Sequence, residues 1–203
     1  LEAAPAVLSV VFGAPSAALV AEAHRRGIRV VGTATTVAEA VALADAGADA
    51  VVATGAETAG HRVSFLRPAE ESLVGLFSLL PQVVDAVDVP VIAAGGIADR
   101  RGVAAAFALG AQGVQVGTAF LAVAESAANA AHRAAIRSTS AEETVLTRAM
   151  SGRLARGARN RAVAEIEAAG SIAPFPAQNW ITGRFRAPAG EQGRGELQSL
   201  WMG

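Results

Sequence analysis

At 203 residues, with 52% hydrophobic residues and a formal charge of −1, the chain has material for one domain with a large core, and its charge suggests neither a nucleic-acid nor a membrane partner. It contains no cysteine, no tyrosine and no lysine, all seventeen basic residues being arginine, so disulfides, thiolate chemistry and lysine Schiff bases are excluded within it. No apolar run is long enough to span a bilayer, and residues 1–5 do not read as a signal peptide; a cytoplasmic protein is the expectation.

Five strand-like runs alternate with helical ones. Residues 7–12 give the first strand and 16–26 a helix; residues 28–32 give the second, followed by a helix over 37–46 with Thr36 as its cap. The third strand, 50–53, has its helix delayed to about 72–87. The fourth, 89–94, precedes Asp99, a helix cap, and a helix to Leu109; the fifth covers 113–116. Continuous apolar strands alternating with helices predict a parallel sheet covered by helices.

The sequence also repeats. Gly47 and Gly110 in Ala-Gly-Ala and Leu-Gly-Ala, and Gly32 and Gly95, share one offset of 63 residues (110 − 47 and 95 − 32). A repeating pair of βα units predicts an α/β fold of the (β/α)8 TIM-barrel type. Five strands do not close such a barrel, so about five C-terminal βα units are expected here, with the N-terminal strands missing from this sequence. On that basis residues 1–120 are read as the C-terminal part of the barrel, 121–170 as a helical substrate-side segment and 171–203 as an irregular tail over the barrel mouth. Within the last two, helices are expected over 119–136, 141–150 and 162–169. A basic, Gly-punctuated loop separates them, whose Arg153, Arg156, Arg159 and Arg161 either grip an anion or form a solvated ion-pair set.

Two glycine turns end adjacent strands: Ala94-Gly95-Gly96-Ile97 and Gln115-Val116-Gly117-Thr118. Each opens a helix, so backbone N–H groups and helix dipoles are expected to converge on an anion, in the place where barrels often hold phosphate. The bland alternative is a pair of simple βα turns. His61 stands just past the third strand in Ala53-Thr54-Gly55-Ala56-Glu57-Thr58-Ala59-Gly60-His61-Arg62. Imidazole is suited to moving protons near neutral pH, so His61 is either catalytic or a surface loop histidine. Glu57 either orients it or sits in solvent. His24 and His132 lie far from it on helices, which gives a metal site little support; His24 reads as part of a solvated helix face and His132 as structural, and Asp45, Asp49, Asp85 and Asp88 read as caps or surface charge.

Taken together, Leu80 to Ala86, Val89 to Asp99, Gly110 to Thr118 and Ser199-Leu200-Trp201 resemble the nitronate monooxygenase family, formerly 2-nitropropane dioxygenases, over nearly the whole chain. The resemblance implies FMN as cofactor on a (β/α)8 barrel. It implies His61 as the catalytic histidine, Gly96, Gln115, Val116, Gly117 and Thr118 at the FMN phosphate, and Gly95, Gly60, Ala59 and Thr54 among the cofactor-binding positions. The reaction implied is oxidation of an alkyl nitronate or nitroalkane by dioxygen to a carbonyl compound and nitrite. The family pattern around the histidine is Gln-Gly-x-Glu-Ala-Gly-Gly-His-Arg-Gly; here Thr54, Ala59 and Val63 replace the glutamine and two glycines. The runner-up is an FMN-dependent enoyl-acyl-carrier-protein reductase using NAD(P)H, and a non-catalytic flavin or phosphate-binding module is the third reading. The sequence leaves the oligomeric state open.

Overall fold

The structure is a computed structural model that describes residues 3–203. In chain order the elements are β1 (Val7–Val10), α1 (Ala17–Arg25), β2 (Arg29–Ala34), α2 (Val37–Asp45), β3 (Ala50–Thr54), β4 (Gly60–His61), α3 (Leu76–Ala86), β5 (Val91–Ala94), α4 (Arg100–Ala108) and β6 (Gly113–Gln115). There follow α5 (Thr118–Leu121), α6 (Ala130–Ser138), β7 (Thr144–Thr147), β8 (Ala155–Ala158), α7 (Arg161–Ala169) and α8 (Ala177–Glu191). They pack as two compact units. One runs to Glu57 and resumes over Val63–Val116; the other comprises Thr58–Arg62 and Gly117–Gly203.

The first unit is an α/β sheet in the order β1-β2-β3-β5-β6, every neighbouring pair parallel. The five adjacent parallel strands expected from the apolar runs are all present. They form an open sheet with β1 and β6 as its edges rather than a closed ring. Apolar residues on β3 and β5 meet helix faces: Val51, Ala53, Val91 and Ala93 pack with Leu43 of α2 and Leu79, Leu80 and Val83 of α3, all essentially without solvent contact. Burying such a side chain contributes roughly 1.5–3 kcal/mol, which is what fixes strands and helices in one register. Thr36 and Asp99 cap α2 and α4 as expected, accepting the N–H groups of Glu39 (3.3 Å) and Arg101 (2.8 Å).

Half of the repeat is structural. Gly47 and Gly110 both follow a helix end with φ of +90° and +96°, a left-handed backbone that glycine adopts without a Cβ penalty. The other half is coincidence. Gly32 lies inside β2, opposite Val51, which pairs with Val91; Gly95 lies beyond the end of β5. Gly32 serves packing instead, since a Cβ there would stand 2.5 Å from Leu43 Cδ2. The third helix also starts later than expected, at Leu76 rather than near Ser72, after a 3₁₀ turn at Ala69–Glu71. Its start is set by Glu57, both of whose carboxylate oxygens accept the Leu76 N–H at 3.0 Å.

The second unit departs further from expectation. Its sheet is antiparallel, in the order β4-β8-β7, extended by a bridge between Gly157 and Trp201. The single helix expected over 119–136 is two, because Asn129 caps a new start by accepting the His132 N–H at 2.9 Å, and Arg133 Nη1 donates to the Ser126 carbonyl. The helix expected over 141–150 is a 3₁₀ turn followed by β7, whose Thr144, Val145 and Thr147 are β-branched. The basic loop contains β8, and the tail expected to be irregular contains the fifteen-residue α8. Among the described residues no helix is long and apolar enough to cross a membrane.

Candidate active site

In the first unit, the predicted cofactor residues gather at the C-terminal ends of three adjacent strands. Thr54 pairs with Ala94, and Ala94 with Gln115, so Thr54, Ala94 and Gln115 finish neighbouring strands at one level, with Gly95 the next residue after β5. Gly95 and Gly96 have φ of +110° and +65°, and Gly96 is exposed, so its backbone is open to a ligand. A Cβ on Gly96 would meet Glu57 Cβ at 3.4 Å. Glu57, Leu76, Gly95, Gly96 and Ile97 line a cleft of about 220 Å³. Thr54 is 4% exposed and Val116 packs against the core, so the side chains of these two positions are turned into the protein. Glu57 holds the N-terminus of α3, where a negative charge is favoured.

The second unit holds His61 in a sheet. Gly60 takes φ +75°, and β4 pairs antiparallel with β8, Gly60 opposite Arg156 and His61 opposite Ala155. The Arg62 N–H donates to the Leu154 carbonyl at 2.8 Å and continues the ladder. The loop histidine expected from sequence is thus a strand residue. Its imidazole is half-buried, with Nε2 2.7 Å from Ser151 Oγ. Phe175 lies edge-on at 6.3 Å between ring centroids and Trp201 tilted at 5.8 Å. Glycine permits both approaches. A Cβ on Gly152 (φ +83°) would stand 2.5 Å from the Phe175 nitrogen, and one on Gly157 2.9 Å from the Trp201 ring.

Burial pushes the His61 pKa below its ordinary 6.5, and the positive charges of Arg153 and Arg186 lower it further. The Arg153 guanidinium lies 4.5 Å from the Phe175 ring centroid, a cation–π contact. Arg186 is held by neutral oxygens, Thr182 Oγ1 (3.0 Å), Ser199 Oγ (2.9 Å) and Asn179 Oδ1 (2.7 Å), and burial lowers its own pKa. The result is a neutral imidazole at pH 7 in a positive surrounding. That is a group able to accept a proton beside an anion.

Ala59 and Gly60 precede His61 in this unit, which also contains Thr118, whose hydroxyl accepts the Gly203 N–H at 3.2 Å. Gly117 is exposed and precedes the one-turn α5, and a Cβ on it would meet nothing within 4 Å. The arginines of the basic segment do not act as one group. Arg156 donates to Thr144 Oγ1, Arg161 pairs with Glu165 at 2.6 Å and Arg159 approaches Glu167 at 3.9 Å, while Arg153 bears on His61. His24, read as part of a solvated helix face, instead pairs with Asp49, and His132 meets the Trp201 carbonyl, a structural contact as expected. The sequence reading missed Ser151, Phe175, Trp201 and Arg186 as neighbours of the histidine. Only Trp201 carried a signal, within Ser-Leu-Trp.

The nitronate monooxygenase family model matches residues 1–203. A probable nitronate monooxygenase of Staphylococcus aureus is 47% identical over 194 residues, 95% of this chain and 55% of that protein. Among solved structures, a nitroalkane oxidase from Streptomyces ansochromogenes is 41% identical with a TM-score of 0.89, over 97% of this chain and 57% of that one. FabK from Thermotoga maritima is 34% identical with a TM-score of 0.83, over 100% and 61%. The chain spans about half the length of the curated relatives it matches.

Proposed function

The chain belongs to the nitronate monooxygenase family, and from that premise we propose that it carries out FMN-dependent oxidation of alkyl nitronates or nitroalkanes by dioxygen, giving a carbonyl compound and nitrite. The observation that carries the reading is His61, a half-buried imidazole kept neutral by burial and by Arg153 and Arg186.

The residues fit a flavin phosphate in one respect that the backbone makes plain: Gly96 is exposed in a left-handed conformation and Gly117 is exposed with open space where a Cβ would be. Gly96, Gln115, Val116, Gly117 and Thr118 would hold the phosphate, with Gly95, Thr54, Ala59 and Gly60 among the other positions that would bind FMN. Once bound, the flavin supplies the two-electron chemistry that the side chains lack. His61 does the proton work. It takes the α-proton from a neutral nitroalkane, or hydrogen-bonds the nitro group of a nitronate that is already ionised. Arg153 and Arg186 favour the anion over the neutral acid, while Phe175 and Trp201 exclude water from one side of the imidazole.

The visible spectrum of the purified chain mixed with FMN, followed by nitronate in air without NAD(P)H, tests this. A bound-flavin spectrum and nitrite release are expected. A protein that takes up no FMN, or takes it up and stays inert until NAD(P)H is added, contradicts the reading; the second result is what the enoyl reductase alternative predicts.

A further inference from the structure

Ser151 is not part of any motif that points to the flavin, yet its hydroxyl lies 2.7 Å from the imidazole of the candidate base. It is 2% exposed, so its hydrogen-bonding groups are satisfied inside the protein. Oγ lies 2.7 Å from His61 Nε2, 3.3 Å from the Arg153 nitrogen and 3.3 Å from the Arg153 carbonyl oxygen. A serine hydroxyl has one hydrogen to donate and lone pairs for two acceptor bonds.

The three contacts admit one arrangement that satisfies them all. The Arg153 N–H is a donor only, so Oγ accepts from it. The Arg153 carbonyl is an acceptor only, so the hydroxyl hydrogen points to it. The remaining lone pair of Oγ then faces His61, and Nε2 has to supply a hydrogen. The reverse arrangement, with Oγ–H aimed at Nε2, leaves the Arg153 carbonyl against a hydroxyl lone pair in a buried place.

We propose that Ser151 is a positioning residue that fixes His61 in the Nε2–H tautomer, making Nδ1 the atom that accepts the substrate proton. This rests on the reading of His61 as the base. It explains why the serine is anchored to main chain rather than to a rotatable side chain: the short turn Ser151-Gly152-Arg153 orients the hydroxyl before any substrate arrives. When Nδ1 gains the proton, Nε2–H keeps its bond to Oγ, so the buried hydroxyl does not have to turn. The α-carbon loses the proton, its bonding pair moves into the nitronate, and the imidazolium that results keeps a neutral hydrogen-bond acceptor at its far nitrogen. The charged groups that bear on the ring, Arg153 and Arg186, oppose imidazolium, so the Ser151 bond offsets part of that cost.

The test reads the ring directly. In the chain labelled with ¹⁵N-histidine, the three histidines are assigned with His61→Gln, and the nitrogens of His61 are followed across the pH range. A protonated Nε2 and an unprotonated, pyridine-like Nδ1 above the pKa are expected. Ser151→Ala is expected to give a mixture of tautomers, and Ser151→Thr, which keeps the hydroxyl, to restore the parent pattern. In the FMN-loaded protein Ser151→Ala is expected to lower kcat on a neutral nitroalkane about 10- to 100-fold, the loss of a hydrogen bond to a charged group, with a much smaller loss on ionised nitronate. A parent ring with Nδ1 protonated overturns the proposal, as does an unchanged tautomer in Ser151→Ala. A tautomer that shifts as expected in a Ser151→Ala protein with unchanged turnover upholds the hydrogen-bond assignment and removes His61 from the base role, so the two readings fail separately.

Discussion

The two units of this chain are built on different physical terms. The first holds β-strands such as Ala50–Thr54 and Val91–Ala94 against Leu79, Leu80 and Val83 through area removed from water. The second uses buried and half-buried polar side chains to hold main-chain groups. Gln178 Nε2 donates to the Ala149 carbonyl (2.7 Å), Thr182 Oγ1 to the Met150 carbonyl (2.5 Å), and Asn160 Nδ2 to the carbonyls of Gly195 (3.0 Å) and Gln198 (2.8 Å). A hydrophobic contact is non-directional and tolerates small displacements; a hydrogen bond places an atom. The unit that carries His61 leans on such placed atoms throughout, whereas the first confines them to a few carboxylates such as the fully buried Glu39, which accepts the Thr35, Phe65 and Leu66 N–H groups.

The difference is open to attack by mutation. Leu80→Ala in the first unit is expected to cost about 2–5 kcal/mol in urea denaturation, the transfer term plus a cavity; a cost under ~1 kcal/mol would mean that the sheet's core is not what holds it. In the second unit Gln178→Leu keeps much of the volume but strips both the donor to Ala149 and the acceptor for the Ala173 N–H (3.0 Å). About 1–3 kcal/mol for each group left unsatisfied is expected, and a neutral result would show that packing rules there too. A Cβ at Gly117 meets no protein atom within 4 Å, so in Gly117→Ala Tm should hold while FMN affinity drops about 10- to 100-fold, as for loss of a hydrogen bond to an anion.

Acid sharpens the contrast further. For Asp49, burial raises the pKa but is outweighed by the Val30 N–H, Arg29 and His24, which bring it from 3.8 down to about 2. A carboxylate depressed on folding stabilises fully above 3.8, and that stability drains as pH falls toward about 2. His61 acts in a higher window. Its folded pKa lies below 6.5, so once pH drops under 6.5 the unfolded chain binds a proton that the folded one refuses, and stability falls until the folded pKa is passed. Stability measured against pH should therefore show a near-neutral loss abolished by His61→Gln and a separate low-pH loss reduced by Asp49→Asn, the remainder belonging to other depressed carboxylates such as Asp99. The exposed Arg161–Glu165 pair should matter least, with Glu165→Ala costing no more than about 0.5 kcal/mol in thermal denaturation.

Legibility followed the same division. Every strand of the parallel sheet was readable, because apolar runs such as Val51-Val52 and Val91-Ile92 are the signal by which burial writes itself into sequence. The caps Thr36 and Asp99 were readable from residue type. β8 was not: Ala155-Arg156-Gly157-Ala158 has no β-branched residue, and its glycine is there because Leu200 and Trp201 cross it closely. α8 was hidden behind Pro176, Gly183, Pro188 and Gly190, residues that usually mark loops. His61 stood out as a histidine after a strand, but its partners Ser151, Phe175 and Trp201 are 90 or more residues away in sequence and no local pattern links them.

The central claim, that His61 is a base and not a core histidine of β4, is met most directly by His61→Ala in the FMN-loaded protein, assayed on a neutral nitroalkane and on its preformed nitronate. The account predicts that flavin stays bound, that turnover of the neutral substrate falls ~10²–10⁴-fold, and that the ionised substrate loses much less. A variant that keeps its flavin and oxidises the neutral nitroalkane at the parent rate would contradict it.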